Sequence, residues 1–392
     1  MGIAVLKSGR ARRTADQPHA RGRSARQMTI LMTAEAVGGV WTYALDLSRG
    51  LSARGVRVVL AVTGAPVSID QRRAADEVPG LTLVGRPYRQ EWTEEPWTDV
   101  EASGPWLLEL ARATSPEVVH VNGFAQAALP FGVPVLVAAH WCVRSWFRAV
   151  RRTAPPSDWS RYESEVKRGL AAARVIVAPS RAMAMSVIRD YAPHAPVIAV
   201  HNGRHPAGFA PGEKESFVLT TGRMRDEAKN VGQLAAIAPR IPWPVYLAGD
   251  DSELKSALMP LGRLSQTALA GWFARASVHA LPARYAPFGF TALEAALSGC
   301  ALVLSDIPSL RELWEGAAMF VDPDDTDALT AALRTLIEDP ARRQLMASLA
   351  HERSAQYTVD AMAEAYLTMY RQLASAPPLP FGGLVARHGA VA

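Results

Sequence analysis

Two cations that follow a predicted strand form the first candidate site. Arg223 and Lys229 lie in the segment TGRMRDEAKN, directly after the strand predicted for Phe217–Thr221. Parallel sheets bind their ligands beyond the carboxyl ends of the strands, and a planar guanidinium with a compact ammonium suits a diphosphate. Lys229 could instead be a solvated residue near a helix start. Because a cation there opposes the helix dipole, the pattern favours binding of an anion.

A second candidate site lies in RYAPFGFTALEAALSGC, Arg284–Cys300, where a Pro-Phe-Gly sequence precedes a predicted helix. The first N–H groups of a helix have no intrahelical partner and bind anions; here they belong to Gly289, Phe290 and Thr291. Glu294 follows about one turn later, and a carboxylate beside a cleft can accept two hydrogen bonds from a sugar or ribose diol. The alternative is a surface acid stabilised by the helix N-terminus.

Two weaker candidates are a glycine pair and a histidine. Gly38 and Gly39 separate a predicted strand from a helix, where glycine permits a positive φ and close approach of backbone N–H groups to a ligand. A plain tight turn explains the pair equally well, and it is not a G-x-G-x-x-G fingerprint. His140 follows the strand predicted for Val133–Ala139, so a catalytic and a structural role both stay open.

No metal site stands out in the sequence. The acidic segment Asp322–Asp325 resembles an acid pair that holds a divalent ion on a nucleotide sugar. It precedes the helix predicted for Thr326–Leu336, however, and helix capping explains it better. The chain has neither a G-x-S-x-G nucleophile elbow nor a P-loop.

Short β-branched runs alternate with longer amphipathic segments, and the alternation occurs twice. The first series of predicted strands is Met28–Thr33, Val56–Val62, Val118–Val121, Val133–Ala139, Val175–Ala178 and Val197–Val200. The second series is Phe217–Thr221, Val245–Ala248, Ser277–Leu281, Leu302–Ser305 and Met319–Val321. A Pro- and Gly-rich break, His205–Gly212, separates them. This pattern predicts an α/β protein with two doubly wound parallel sheets that face a cleft.

The positive charge of the chain is concentrated at one end. The 392 residues have a net charge of +5 and a pI of about 9.3, which could suggest a nucleic-acid partner. Residues 1–27, however, carry seven basic residues and one acidic residue, so the other 365 residues have a net charge of −1. The sequence therefore predicts no nucleic acid partner. It predicts a disordered basic tail at 1–27 and a loose Pro/Gly-rich tail at 374–392.

The nature of the basic tail stays open. It could be a basic arm or a start-site artefact upstream of Met28, both of which we favour over a membrane-surface tether. The tail has no apolar run long enough for a signal peptide. Two cysteines, Cys142 and Cys300, cannot form a disulfide framework, which indicates a reducing compartment and a cytoplasmic location.

Together these segments resemble the family 4 retaining glycosyltransferases, which have the GT-B fold. The matching motifs occur in order between Met28 and Leu373. They are Gly38-Gly39, HVNG at His120–Gly123, AAHWCVRSW at Ala138–Trp146, APSRAM at Ala178–Met183, VHNG at Val200–Gly203, TGRMRDEAKN, and PFGFTALEAALSGCALVLSDIPSLRELW at Pro287–Trp314. The resemblance implies a Rossmann-like acceptor domain at 28–205, a Rossmann-like donor domain at 206–358, and a helix at 359–373 that crosses back to the first domain.

The resemblance also implies roles for individual residues. Arg223 and Lys229 match the cation pair that holds the donor diphosphate, Glu294 matches the glutamate that binds the ribose, and His140 matches the histidine near the anomeric carbon. The implied catalytic residues are thus His140, Arg223 and Lys229. The implied donor site is Gly38, Gly39, Arg223, Lys229, Ala286, Phe288, Gly289, Phe290, Thr291 and Glu294.

The substrates are also implied by the resemblance. A UDP- or GDP-sugar is the donor and co-substrate, a glycan or lipid-linked hydroxyl is the acceptor, and neither a cofactor nor a metal is required. A leaving diphosphate can itself take the acceptor's proton, so retention needs no enzymic nucleophile.

One position departs from the family pattern. The first glutamate of the family's Glu-x(7)-Glu motif, which contacts the donor sugar, falls on Ala286. Loss of a charged hydrogen bond costs about 1.5–3 kcal/mol, which is roughly a 10- to 150-fold loss of rate. The spacing between Arg223 and Lys229 is also one residue longer than the commonest family form. Ala286 could be natural, an introduced substitution, or a sign of degeneration. Two alternatives to an active transferase therefore stay open. One is a catalytically silent nucleotide-sugar-binding protein, and the other is a nucleotide-sugar epimerase of the same fold.

A run of basic and aromatic residues gives a further hypothesis about membranes. Its members are Arg144, Trp146, Phe147, Arg148, Arg151 and Arg152. Such a run could touch an anionic membrane at the inner face, near a lipid-linked acceptor. The alternative is a helix face that closes one edge of the cleft.

Overall fold

The computed structural model describes residues 27–249 and 257–375. The tails predicted for 1–27 and 374–392 therefore lie outside the described residues, except at Gln27 and at positions 374–375. The described part forms two parallel sheets, each with helices on both faces. The predicted fold class, two Rossmann-like α/β units, is confirmed.

The first sheet has the strand order β3-β2-β1-β4-β5-β6-β7, and all of its pairs are parallel. Its elements in chain order are β1 Thr29–Glu35, α1 Gly39–Ser52, β2 Arg57–Thr63, α2 Ile69–Asp76, β3 Leu81–Gly85, α3 Trp97–Thr114, β4 Val118–Val121, β5 Val135–Ala138, α4 Val143–Trp146, α5 Ser160–Ala172, β6 Val175–Ala178, α6 Arg181–Tyr191 and β7 Val197–Ala199. Short 3₁₀ segments at Ala125–Ala128 and Ser157–Trp159 and a π-helical turn at Phe147–Arg151 connect them.

The central strands of this sheet are buried on both faces, which explains their nearly continuous apolar sequences. In β1, Ile30 and Met32 pack into the core beneath α1, whereas Leu31 packs into the core beneath α3 and α5. Successive side chains of a strand point to opposite faces. One strand therefore contributes to two cores.

The second sheet has the order β10-β9-β8-β11-β12-β13 and is also parallel. Its elements are β8 Glu215–Thr221, α7 Gly232–Ile237, β9 Val245–Ala248, β10 Met259–Gly262, α8 Gln266–Arg275, β11 Ala276–Leu281, α9 Phe290–Leu297, β12 Ala301–Ser305, α10 Pro308–Trp314, β13 Met319–Val321, α11 Thr326–Glu338 and α12 Pro340–Ser354. A 3₁₀ segment at Ala238–Arg240 follows α7.

The last described helix, α13 Val359–Ser375, packs on the first domain. Its Tyr366 and Tyr370 are buried in the same core as Ile30 and Met32. Gly50 of α1 permits the close approach, because a Cβ there would lie 2.5 Å from the Cβ of Ala363. The chain therefore crosses from the second domain back to the first.

The sequence patterns missed two strands. The strands β3 and β10 lie at the edges of their sheets and are largely exposed, so they lack the apolar runs that mark central strands. The other predicted strands agree with the structure to within two residues at each end.

Candidate functional site

A cleft of about 2980 Å³ lies between the carboxyl ends of the two sheets. Loops after β1, β5, β8 and β11 line it, as expected for ligand sites of parallel sheets. Every residue that the sequence proposed for the site lines this cleft: Gly38, Gly39, His140, Arg223, Lys229, Ala286, Phe288, Gly289, Phe290, Thr291 and Glu294.

Two helix N-termini, one from each domain, meet in the cleft. Gly38 caps α1 with a φ of 76°, and Gly289 caps α9 with a φ of 79°. A Cβ at Gly39 would lie 3.2 Å from the ring of Phe290, so glycine permits the two domains to touch here. Neither helix has a side-chain cap. Their first N–H groups therefore remain available to an anion.

The two predicted cations differ in their surroundings. The side chain of Arg223 is 72% exposed and lies 3.7 Å from Asp226. Burial lowers the pKa of Lys229, and Arg223 lowers it further, whereas Asp226 opposes both. Asn230, in the left-handed region at φ 54°, donates to the carbonyls of Pro282 and Pro323 and holds the loop in place. A diphosphate between Arg223 and Lys229 would meet one exposed charge and one partly buried charge.

Glu294 is buried in an ion triad that the sequence did not predict. Its Oε1 accepts a hydrogen bond from Nε of Arg204 at 2.9 Å, and Nη1 of Arg204 donates to Oδ2 of Asp46 at 2.5 Å. The side chains of Asp46 and Arg204 are 0% and 3% exposed. Burial raises the pKa of Glu294, and Arg204 opposes that rise. The alternative of a surface acid at this position is therefore wrong.

His140 is held as a neutral ring. Its Nε2 lies 2.8 Å from Oδ1 of Asn122, and the ring of Tyr43 packs against it edge to face at 4.5 Å. Burial lowers the pKa of His140 to about 4. A proton on Nε2 satisfies the Asn122 oxygen, so Nδ1 is the unprotonated nitrogen.

We expect His140 to titrate near pH 4 rather than near the ordinary histidine value of about 6.5. The imidazole signals in an NMR pH titration measure this, with the assignment made from their loss in His140→Gln. Because the unfolded chain binds the proton more tightly, this group reduces stability as the pH falls from about 6.5 towards 4. A midpoint near pH 6.5 would contradict the lowered pKa of this partly buried ring.

Ala286 places a methyl group where the resemblance implies a carboxylate. The residue is 3% exposed, and its carbonyl accepts a hydrogen bond from Oγ of Ser309 at 2.6 Å. Ser309 lies near the start of α10 and fixes the backbone just before Gly289. The backbone of this segment is thus held in place without the missing side chain.

The four arginines of the basic and aromatic run are all paired within the chain. Arg144 binds Glu163, and Arg148 binds Asp190. The other two reach the second domain: Arg151 binds Glu227 and Arg152 binds Asp324. Trp146, Phe147 and Arg151 also line the cleft. These contacts agree with the alternative of a face that closes one edge of the cleft, whereas membrane contact stays a prediction.

The acidic segment before α11 is occupied by local contacts. Asp325 accepts from the N–H groups of Asp327 and Ala328 at the start of the helix, and Asp324 pairs with Arg284. Within residues 27–249 and 257–375, no three His, Cys, Asp or Glu side chains come together as metal ligands. Over the same ranges, no helix combines the length and apolar composition needed to span a bilayer.

Two Rossmann-like sheets that face a cleft are the architecture of the GT-B fold. Two family models match the chain: Glycosyltransferase Family 4 over residues 37–207 and Glycosyl transferases group 1 over residues 215–339. The chain belongs to this glycosyltransferase family.

Three known proteins show how far the likeness extends. The glycogen synthase of Mycobacterium tuberculosis is 37% identical over 118 residues, which cover 28% of this chain and 28% of that protein. Sucrose-phosphate synthase from Thermosynechococcus elongatus is 19% identical over 88% of this chain and 99% of its own, with a TM-score of 0.72. HepE of Anabaena, solved with UDP-glucose, is 15% identical over 88% of this chain and 100% of its own, with a TM-score of 0.71. At these identities the two structures share the fold.

Proposed function

We propose that the protein is a retaining glycosyltransferase that moves a sugar from a nucleoside-diphosphate sugar to a hydroxyl of a glycan or lipid-linked acceptor. The observation that carries the proposal is the convergence of Arg223, Lys229 and the N-terminus of α9 on one cleft, opposite His140. HepE, which has the same fold, was solved in complex with UDP-glucose. A UDP- or GDP-sugar is therefore the donor we propose.

The proposed reaction breaks the bond between the anomeric carbon and a diphosphate oxygen, and the electron pair goes to the diphosphate. A new bond forms between the same carbon and the acceptor oxygen on the same face of the sugar. The acceptor's proton passes to a diphosphate oxygen. Negative charge on the leaving group grows during this step, and Arg223, Lys229 and the first N–H groups of α9 are placed to stabilise it.

The neutral state of His140 suits this chemistry. Positive charge develops on the sugar in the transition state, and a charged imidazolium beside it would raise the barrier. Because burial keeps His140 uncharged at neutral pH, the ring adds no repulsion. Cys142 and Cys300 are both free and buried, which fits the reducing, cytoplasmic location proposed for this activity.

Ala286 supports a second candidate, a silent protein that binds a nucleotide sugar without turning it over. We expect Ala286→Glu to raise the rate of nucleotide release from a cognate donor by roughly 10- to 150-fold, the value of one charged hydrogen bond to the sugar. A coupled assay for UDP or GDP release measures this, and Ala286→Gln is the control of equal length without charge. If both forms bind nucleotide but neither releases it from any common donor, the protein is not a transferase. Conversion of the donor to its epimer without an acceptor would identify an epimerase.

A further inference from the structure

The acceptor half of the cleft contains a pair of tryptophans that the donor site does not use. Trp92 and Trp141 lie edge to face, with ring centroids 5.9 Å apart and planes at 71°. Both line the cleft, and Trp92 is 38% exposed, although indole rings are usually covered. Trp141 directly follows His140, so the pair adjoins the position proposed for the reacting carbon.

A carboxyl group lies beside this pair. Glu35, at the carboxyl end of β1, lines the cleft and is partly exposed. Burial raises the pKa of Glu35 to about 7, the nearby Glu91 raises it further, and a hydrogen bond with Trp92 opposes them. Near neutral pH the group therefore occurs both protonated and ionised, and it can donate to one hydroxyl and accept from another.

A small chamber extends the site on this side. Its volume is about 30 Å³, and Glu35, Trp92, His140 and Trp141 line both the chamber and the main cleft. The rest of its wall combines apolar residues such as Leu107 and Phe124 with polar, uncharged ones: Thr33, Thr63, Gln90, Asn122 and Gln126. Glu91 also lines it, and its carboxylate oxygens accept from the N–H groups of Phe124 and Ala125.

The side-chain charges on this half of the cleft do not suit an anion, and the N-terminus of α1, which meets Phe290 of α9, belongs to the donor half. Among the described residues of the first domain that line the cleft, each arginine lies within ion-pair distance of an acid. The pairs are Arg49 with Asp46 at 3.0 Å, Arg73 with Asp70 at 4.0 Å, Arg151 with Glu227 at 2.6 Å, and Arg204 with Asp46 and Glu294. An anionic acceptor in this region would lose its hydration without gaining an unpaired cation.

From these contacts we infer that Trp92, Trp141 and Glu35 form the acceptor subsite, and that the acceptor is an uncharged carbohydrate. The apolar C–H face of a sugar ring packs on an exposed indole, and the carboxyl group binds the hydroxyls at its rim. The inference rests on the proposed function for the identity of the donor half.

The test uses the whole chain with UDP bound and measures the binding of maltose, methyl α-mannoside and glucose 6-phosphate by NMR. We expect at least one neutral saccharide to bind more tightly than glucose 6-phosphate, and Trp92→Leu to weaken that binding by about tenfold. Glu35→Gln, which replaces one of the two carboxyl oxygens by an amide nitrogen, should also weaken that binding. Trp97→Leu is the matched control, since Trp97 lies in the same domain but outside the lining of the cleft.

The outcomes separate this inference from the proposed function. Three results would overturn the acceptor subsite, even if sugar transfer is observed. They are tighter binding of glucose 6-phosphate than of the neutral saccharides, failure of all neutral saccharides to bind, and a loss of saccharide affinity in Trp97→Leu equal to that in Trp92→Leu. Saccharide binding that Trp92→Leu weakens supports the subsite even if no donor is turned over. Unchanged UDP affinity in Trp92→Leu and Glu35→Gln shows that the donor half of each variant is intact.

Discussion

Arg223→Ala is expected to weaken the binding of UDP or GDP by about 10- to 150-fold, the value of one charge-assisted hydrogen bond. The side chain is 72% exposed, and its contact with Asp226 is long at 3.7 Å. Its removal therefore costs the fold little, and the loss appears in ligand affinity. Isothermal titration calorimetry with the nucleotide measures the effect directly.

Arg240→Ala is the matched control for this substitution. Arg240 is an exposed arginine of the same domain that pairs with Asp327 and does not line the cleft. We expect its nucleotide affinity to equal that of the unchanged protein. An unaltered Kd in Arg223→Ala would show that the diphosphate is held elsewhere.

Arg204→Met is expected to lower the free energy of unfolding by about 3–5 kcal/mol, the usual cost of removing one partner from a buried ion pair. The change leaves Glu294 as a buried carboxylate without its guanidinium partner and leaves Asp46 with Arg49 alone. Urea unfolding followed by circular dichroism measures the loss. If Glu294 also binds the ribose, the variant should discriminate less between UDP and 2′-deoxy-UDP, which a purely structural role would not change.

A neutralised triad is the control for Arg204→Met. Combining Arg204→Met with Asp46→Asn and Glu294→Gln removes both buried carboxylate charges, and we expect most of the lost stability to return. If Arg204→Met alone lowers the free energy of unfolding by less than about 1 kcal/mol, which is the range of an exposed ion pair, the triad contributes little to the stability of the fold.

Local sequence was enough to predict the backbone part of the site. Gly38 and Gly289 have positive φ values at helix starts, and such positions depend on the residue itself and on the strand–helix order around it. The central strands were predicted for the same reason, because burial on both faces demands an unbroken apolar run. The family resemblance then assigned Arg223, Lys229 and His140 to one cleft.

Contacts between distant residues could not be predicted in this way. Arg204 binds Asp46 across 158 positions and Glu294 across 90. The local pattern singled out Glu294 as a ligand group, but nothing in it indicates the contact with Arg204. The run that includes Arg144 and Arg148 suggested a charged surface, yet its partners Glu163 and Asp190 lie on other helices. Glu35 and Trp92 were likewise missed, because a single acid and a single tryptophan have no spacing to recognise.

The position of α13 has a consequence for the order of folding. Met362, Tyr366 and Tyr370 complete one face of the core that begins at Ile30. During synthesis, the first sheet leaves the ribosome with that apolar face still uncovered, and the whole second domain is made before α13 can cover it. The second domain can thus finish folding before the first, and the incomplete first domain is the species most exposed to aggregation on the ribosome.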